Sequence, residues 1–338
     1  MIHRAVVAGL GSIGRRHLRL LRAALPDSDI RVLRHSKCEC AIDGADGCFS
    51  RLEDACAFAP DLAVIASPAP FHIATATALA ETGAHLMVEK PVSSTSAGVA
   101  ELIALCAARG LVFQVGYNLR FLETLQCFRA ELEADRIGTV HSVRCEIGQY
   151  LPGWRPDLDY RRTVSAQKAL GGGVLLELSH ELDMLRWVFG EVGWLSAWTG
   201  RQGSLEIDVE DSAMLQIGFA DGPMAHLSMD FLRHDTTRVC TALGNAGSLR
   251  WDAVVGRVDH FDPRTGNWSN VMQIMPERDA SYRAQITAFL AAVGGAPGQV
   301  AAQGADGLAV MRLVEAARCS DAQQGLRIQI GEAPCPTS

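Results

Sequence analysis

The sequence has no basic block, no Cys-x-x-Cys, no internal repeat and no low-complexity segment. No apolar run approaches the roughly 20 residues that cross a bilayer, so no membrane partner is expected. The formal net charge is -7, and without a clustered Lys/Arg footprint a nucleic-acid partner is not expected either. The ten cysteines are scattered. Their closest pair, Cys38-Glu39-Cys40, has a spacing that suits neither a zinc knuckle nor a redox dithiol. Reduced thiols in a cytoplasmic protein, with no metal site, are therefore expected. Met1-Ile2-His3-Arg4 runs straight into the first apolar stretch and leaves no room for a signal peptide. What is present is 338 residues, 48% hydrophobic and 20% charged, enough for two domains of an ordinary soluble enzyme.

Strand and helix signals alternate through the first 120 residues, as in a parallel sheet covered on both faces. Strands are expected at Ala5–Ala8, Ile30–Leu33, Leu62–Ala66, His85–Val88 and Val112–Val115. From Val140 the texture changes. Val143, Cys145 and Ile147 alternate with Ser142, Arg144 and Glu146, the pattern of a half-exposed strand, and similar stretches recur at 213–219, 224–229, 238–243 and 248–251. A long helix over 174–188 interrupts them, and two more are expected near 282–293 and 305–319. The fold class is thus α/β: a doubly wound Rossmann domain over 1–120, then an α+β domain over 121–338 with a large, open, mostly antiparallel sheet. The last helices are free to pack back on the first domain. An open sheet needs a cover, so a homodimer or homotetramer through that face is expected.

Gly9-Leu10-Gly11-Ser12-Ile13-Gly14 follows the first strand and opens a helix, the context that gives a dinucleotide fingerprint its meaning. Gly9 permits the tight turn, Gly11 lets backbone approach a pyrophosphate, and Gly14 lets helix and strand pack closely. After the second strand an NAD enzyme usually carries an acid for the ribose hydroxyl. Here Arg34-His35-Ser36-Lys37 stands instead. Arg34, Ser36 and Lys37 suit a 2′-phosphate, so NADP is favoured over NAD. At the end of a later strand comes Glu89-Lys90-Pro91, where a doubly wound sheet keeps reactive groups. Pro91 disfavours helical geometry at Lys90 and leaves that side chain aimed outward.

These residues, with Ser67-Pro68 and His72, Gly116-Tyr117-Asn118-Leu119-Arg120-Phe121, and Gly171-Gly172-Gly173 followed by His180 and Asp183, resemble the Gfo/Idh/MocA oxidoreductase family over nearly the whole chain. The resemblance implies NAD(P)-dependent oxidation or reduction of sugars, inositols or nucleotide sugars. It also implies that Lys90 and Glu89 sit at the nicotinamide, with Ser67, Pro68, His72 and Asn118 lining the cofactor cleft. The stretch 149–190 is similar to a branch associated with bacterial surface-polysaccharide and acidic-sugar pathways.

Glu177, His180, Asp183 and Trp187 recur at three- and four-residue spacing, one face of the expected helix, backed by Leu176, Leu178, Leu182 and Leu185. His180 is suited to take a hydroxyl proton, and Lys90 to relay it and to stabilise an alkoxide. The family pattern has a carboxylate four residues before this histidine, where Leu176 stands here. Either Glu177 serves after a one-residue shift, or Asp183 orients the ring, or that carboxylate is absent. Tyr150 and Trp154 suit the apolar face of a sugar ring, and Arg155, Arg161, Arg162 and Lys168 an anionic group on it. Two other readings compete: a glycosidase that oxidises its sugar transiently through a tightly held NAD, and a cofactor-binding regulatory protein without turnover.

Overall fold

The alternating signals of the first third resolve into β1 (Arg4–Ala8), α1 (Ser12–Ala24), β2 (Asp29–Leu33), β3 (Gly47–Phe49), α2 (Leu52–Ala57), β4 (Leu62–Ile65), α3 (His72–Glu81), β5 (His85–Val88), α4 (Val99–Ala108) and β6 (Phe113–Val115). The computed structural model describes residues 2–34, 41–275, 277–296 and 300–331. The six strands pair in parallel in the order β3-β2-β1-β4-β5-β6. Helices on both faces explain why Ala5 to Val7 and Leu62 to Ile65 are wholly buried and read as unbroken apolar runs. The strand order reverses between β1 and β4, and a ligand crevice opens at the carboxyl ends beside such a switch. Strand β3, only three residues long, escapes a periodicity argument.

The chain continues through α5 (Glu123–Glu133), β7 (Val140–Gly148), α6 (Val174–Glu177), α7 (His180–Phe189), β8 (Val192–Gly200), β9 (Ser212–Phe219), β10 (Met224–Asp230), β11 (Thr237–Gly244), β12 (Gly247–Asp252), β13 (Arg257–Asp262), β14 (Asn267–Gln273), α8 (Ala280–Val293), α9 (Gly304–Ala322) and β15 (Ile328–Gln329). Strands β7 to β15 form a sheet in the order β14-β13-β12-β11-β7-β10-β9-β8-β15. Every pairing is antiparallel except β10 with β7. On β7, Val143, Cys145 and Ile147 are buried while Arg144 and Glu146 are exposed, so one face is packed and the other open. Trp251 of β12 is fully buried on the packed face, and its Nε1–H donates to Thr124 Oγ1 of α5 at 3.0 Å.

The chain divides into one unit of Met1–Phe121 with Asp279–Met311, and another of Leu122–Arg278 with Arg312–Ser338. A single boundary at 120 therefore does not describe it. Helix α8 returns to the first unit because Ile286 and Phe289 complete the apolar cluster of Ala5, Val7, Leu18 and Leu21.

Two expectations need correction. The helix over 174–188 is two helices, α6 and α7, broken at Leu178 and Ser179. Serine competes poorly for helix interiors, and the two pieces are tied to different partners, as described below. Cys48 is disulfide-bonded, so the thiols are not all reduced.

Candidate active site

The cradle in the first unit is built at the carboxyl ends of β1, β2 and β4. Gly9 has φ +97° and its N–H donates to Leu33 O at 2.8 Å, and a Cβ there would lie 2.6 Å from Ala66 O and Ser67 N. A Cβ on Gly14 would lie 2.0 Å from Gly9 O. Gly11 differs: a Cβ there would meet nothing within 4 Å. Helix α1 starts at Ser12, with Ile13 half-buried behind it; it has no side-chain cap and no acid in its first turn. Its first N–H groups and its dipole therefore favour an anion at that end. A cavity of about 310 Å³ opens there, lined by Gly9, Arg15, Leu33, Arg34, Ser67 and Pro68 among others. The hydroxyl of Ser67 is buried with no hydrogen-bond partner among the described residues. An open Gly11, an uncapped helix start and an orphaned hydroxyl fit a dinucleotide.

Arg34 is placed at this cavity as expected; Ser36 and Lys37 lie outside the described residues. Arg15, which also lines it, was not foreseen, although it is the first cation after the fingerprint and one helical turn from Gly11.

Behind the cradle, His72 is a brace rather than a lining group. It is 1% exposed, with Nδ1 3.0 Å from Pro91 O and Nε2 2.6 Å from Ser67 O. It thus ties the loop after β4 to the loop after β5. Burial pulls its pKa below the ordinary value, against the pull of those contacts and of Glu89. Asn118 is similarly committed, donating to Ser281 Oγ of α8 at 2.8 Å.

Lys90 follows β5 by two residues, and its peptide bond to Pro91 is cis. Glu89 points inward. It is 6% exposed, with Oε1 2.5 Å from Nε2 of His17 on α1 and Oε2 accepting from the Lys90 N–H at 3.1 Å. Burial works to raise its pKa, but the hydrogen bond and charge of His17, with Lys90, outweigh this and hold it below the ordinary carboxylate value. His17 was missed because the fingerprint draws attention to its glycines and not to the helix beyond them.

In the second unit the glycine run is an entry that side chains would block. A Cβ on Gly172 would lie 2.4 Å from Val164 O, and one on Gly173 2.4 Å from Glu210 Oε1. Glu210 caps α6, accepting from Leu175 N at 3.3 Å, and burial raises its pKa. Glu177 Oε2 accepts from Ser165 Oγ at 3.1 Å. After the break, His180 is the first residue of α7 and is half-buried. The next residue, Glu181, is wholly buried and accepts from Arg238 Nε of β11 at 2.7 Å. Asp183 is 1% exposed. Trp187 carries the Arg129 guanidinium over its ring at 4.4 Å. The interruption between Glu177 and His180 separates Glu177 from the expected face, while His180, Asp183 and Trp187 keep their spacing within α7.

The remaining expected groups stand on loops of this unit. Tyr150 stacks on His234 with ring centroids 4.1 Å apart. Trp154 packs edge-on against Phe231 and donates to Gln149 O at 3.1 Å, so its ring is used within the fold. Arg161 is engaged by Asp159 and Glu206, which raise its pKa. Arg155 is half-buried and Lys168 exposed. Among the described residues no group of three or more His, Cys, Asp or Glu side chains is placed to hold a metal ion, and no helix is long and apolar enough to cross a membrane.

A model of an oxidoreductase family with an NAD-binding Rossmann fold matches residues 3–117, and a GFO/IDH/MocA C-terminal domain model matches residues 125–250. The chain belongs to the Gfo/Idh/MocA oxidoreductase family. As a member it is an NAD-binding oxidoreductase whose chemistry is hydride transfer. The uncharacterized oxidoreductase YrbE of Bacillus subtilis (strain 168) is 28% identical over 276 residues, which is 77% of this chain and 75% of that protein. Levoglucosan dehydrogenase of Pseudarthrobacter phenanthrenivorans is 29% identical over 218 residues, 56% and 55% of the two chains. Two solved structures share the fold. Levoglucosan dehydrogenase in complex with NADH has a TM-score of 0.85 at 20% identity, covering 98% of this chain and 100% of that one. The WlbA dehydrogenase from Bordetella pertussis, in complex with NADH and UDP-GlcNAcA, has a TM-score of 0.81 at 22% identity, covering both chains fully.

Proposed function

We propose that this family member moves a hydride between a nicotinamide and a CH–OH carbon of a sugar or nucleotide sugar, with His180 and Lys90 handling the hydroxyl proton. The observation that carries the reading is the cradle: open backbone at Gly11, the orphaned hydroxyl of Ser67, and Lys90 past the end of β5, two strands from β1 in the same sheet. When bound, the nicotinamide supplies or takes the hydride. The N–H groups at the start of α1 would hold its pyrophosphate. His180 takes the proton from the hydroxyl in oxidation and returns it in reduction. The Lys90 ammonium stabilises the negative charge that gathers on that oxygen. The substrate class draws on the names of relatives that dehydrogenate levoglucosan and bind UDP-GlcNAcA. An acidic group on the sugar would be met by one or two of the cations Arg155, Arg161, Arg162 and Lys168. Arg34 and Arg15 at the end of the cradle favour NADP over NAD.

The test is a panel of sugars, polyols and nucleotide sugars followed at the nicotinamide absorbance with NAD and NADP. Lys90→Met and His180→Asn should each lose about 10²-fold or more in turnover, the scale of acid–base groups, while still binding NADH. Near-normal turnover in either variant removes that residue from the mechanism. Equal efficiency with both cofactors removes the preference for NADP. Release of a leaving group without net absorbance change would move the protein to the transient-oxidation class.

The open face of the second sheet carries Trp198, Met214, Met224 and Trp268, which are 39 to 52% exposed. Register places all four on the same side. We propose that a second copy of the chain covers this apolar surface. Light scattering at micromolar concentration should give at least a dimeric mass, reduced by Met214→Asp with Met224→Asp. A monomeric mass for the unaltered protein overturns this.

A further inference from the structure

The second unit carries a cavity to which the reading above gives no task. Its volume is about 660 Å³, and it is lined by Arg136, His260, Asp262, Arg264, Asn267 and Ser269 among others. Register explains its place. Trp251 of β12, which bonds to α5, pairs with Val258 of β13, two residues before His260. His260 and Asp262 pair in turn with Ser269 and Asn267 of β14. These side chains therefore project from the face of the sheet that α5 covers. Helix α5 packs on β12, β13 and β14 but ends at Glu133, and Asp135 turns the chain with φ +57°. A recess is left over the end of the β13–β14 hairpin. His260 lies in it at 8% exposure, with Nε2 buried and without a hydrogen-bond partner among the described residues. A Cβ on Gly247 would lie 3.0 Å from that nitrogen, which places it against the start of β12. Burying a bare imidazole nitrogen costs less than burying an unanswered N–H. The proton therefore rests on Nδ1, and the ring brings a donor to the recess.

Two guanidinium groups reach the same recess from separate segments. Arg136 has one acid beside it, Glu131 at 3.4 Å, and half of its side chain is exposed. Arg264 gives Nε and Nη2 to Asp262 at 3.1 and 2.8 Å. That contact and the Arg264 backbone N–H hold the Asp262 carboxyl down to about 2, so the acid of the recess is answered within its own turn. Exposed ion pairs of this kind are weak, and a guanidinium engaged by one carboxylate keeps further N–H donors for an anion. Deeper in, Asn267 Nδ2 donates to Thr265 O at 2.8 Å and Ser269 Oγ to His260 O at 3.3 Å. Both residues keep an oxygen that can accept from a hydroxyl. The volume exceeds that of an inorganic anion and suits a small organic ligand. We propose that the recess is a second small-molecule site, which takes a hydroxylated phosphomonoester of the sugar-phosphate class. Arg136 and Arg264 meet the phosphate, whose terminal oxygens can answer two guanidinium groups at once. His260, Asn267 and Ser269 meet the hydroxyls. The site takes no part in the hydride transfer proposed above, so either reading can fail without the other.

The test adds ribose 5-phosphate to the full chain saturated with NADH, so that the cradle of the first unit is filled, with ribose and inorganic phosphate in parallel. Binding is read from ³¹P line broadening and from the ring signals of ¹³C-labelled histidine, the His260 signal being the one absent from His260→Gln. Ribose 5-phosphate should shift that signal saturably, ribose should leave it in place, and inorganic phosphate should bind more weakly than the ester. Arg136→Gln and Arg264→Gln alter exposed side chains and should fold. Each should weaken the ester about tenfold or more, the scale of a lost charge-assisted hydrogen bond, and leave turnover without the ester unchanged. Where His260→Gln fails to fold, the two arginine variants and the ³¹P signal still decide. The proposal is overturned if millimolar ribose 5-phosphate moves no histidine signal. It is also overturned if the double variant Arg136→Gln with Arg264→Gln binds the ester as the unaltered protein does, since the anion would then be held elsewhere. Inorganic phosphate bound as tightly as the ester would equally remove the organic ligand from the recess.

Discussion

Substituting Gly11 by alanine separates cofactor binding from folding. The backbone there, φ -66° and ψ -173°, is one that any residue adopts, and the added methyl meets nothing within 4 Å. The folded chain therefore accepts it. Removing glycine's freedom from the unfolded chain contributes about 0.4–1 kcal/mol, which for a protein of this size is about 1–2 °C of added thermal stability. The methyl instead occupies the space in front of the α1 N–H groups. A single charge-assisted hydrogen bond to a pyrophosphate contributes about 1.5–3 kcal/mol, so displacing one costs about 10- to 100-fold in affinity. Gly14→Ala supplies the contrast. Its methyl would lie 2.0 Å from Gly9 O, backbone against side chain with no rotamer to relieve it, so helix and strand must part. That should cost about 1–3 kcal/mol of stability as well as binding. Thermal melts with and without NADH, beside a fluorescence titration with NADH, read both quantities. If Gly11→Ala binds NADH within twofold of the unaltered protein, the pyrophosphate does not lie where the cradle puts it.

Two further outcomes follow from burial and charge. Trp251→Phe retains most of the ring but strands the Thr124 hydroxyl, which is 5% exposed; it should cost about 1–2 kcal/mol, read as a lower urea midpoint at unchanged slope. Glu89 has a pKa held below the ordinary 4.5, so its contribution to stability is present at neutral pH and is lost as pH falls from about 4.5 through the lower folded-state value. Acid titration of the melting temperature should accordingly show the unaltered protein losing more than Glu89→Gln over that window; parallel curves would refute it.

The first unit was legible because its signals are local and redundant. Ala5 to Ala8, Leu62 to Ile65 and Leu86 to Val88 are covered on both sides and so carry no polar interruptions, and Gly9 and Gly14 each answer to one steric fact. What was hidden there lies one layer behind. Glu89 reads as a group facing the cofactor because it precedes Lys90, and extended residues alternate in direction. That alternation sends it to His17 instead, a partner 72 positions away which no periodicity connects to it. The return of a last helix to the first unit was open in the sequence, but nothing local in α8 says that Ile286 and Phe289 belong against β1 and α1.

The second unit shows a different failure, in which a correct residue was read on an incorrect element. Spacing from Val174 to Val188 satisfies a helix throughout, since Leu176, Leu178, Leu182 and Leu185 bury as a continuous stripe should. The stripe does not register that Glu177 is held by Ser165 and Glu181 by Arg238. Those two ties, on either side of Leu178 and Ser179, belong to different elements and need not keep helical phase with each other. The break they flank places His180 at the first residue of α7. Glu177 therefore stands on a different helix from His180, whereas Asp183 shares α7 with it. Glu181, adjacent to His180, is meanwhile locked to β11 through Arg238.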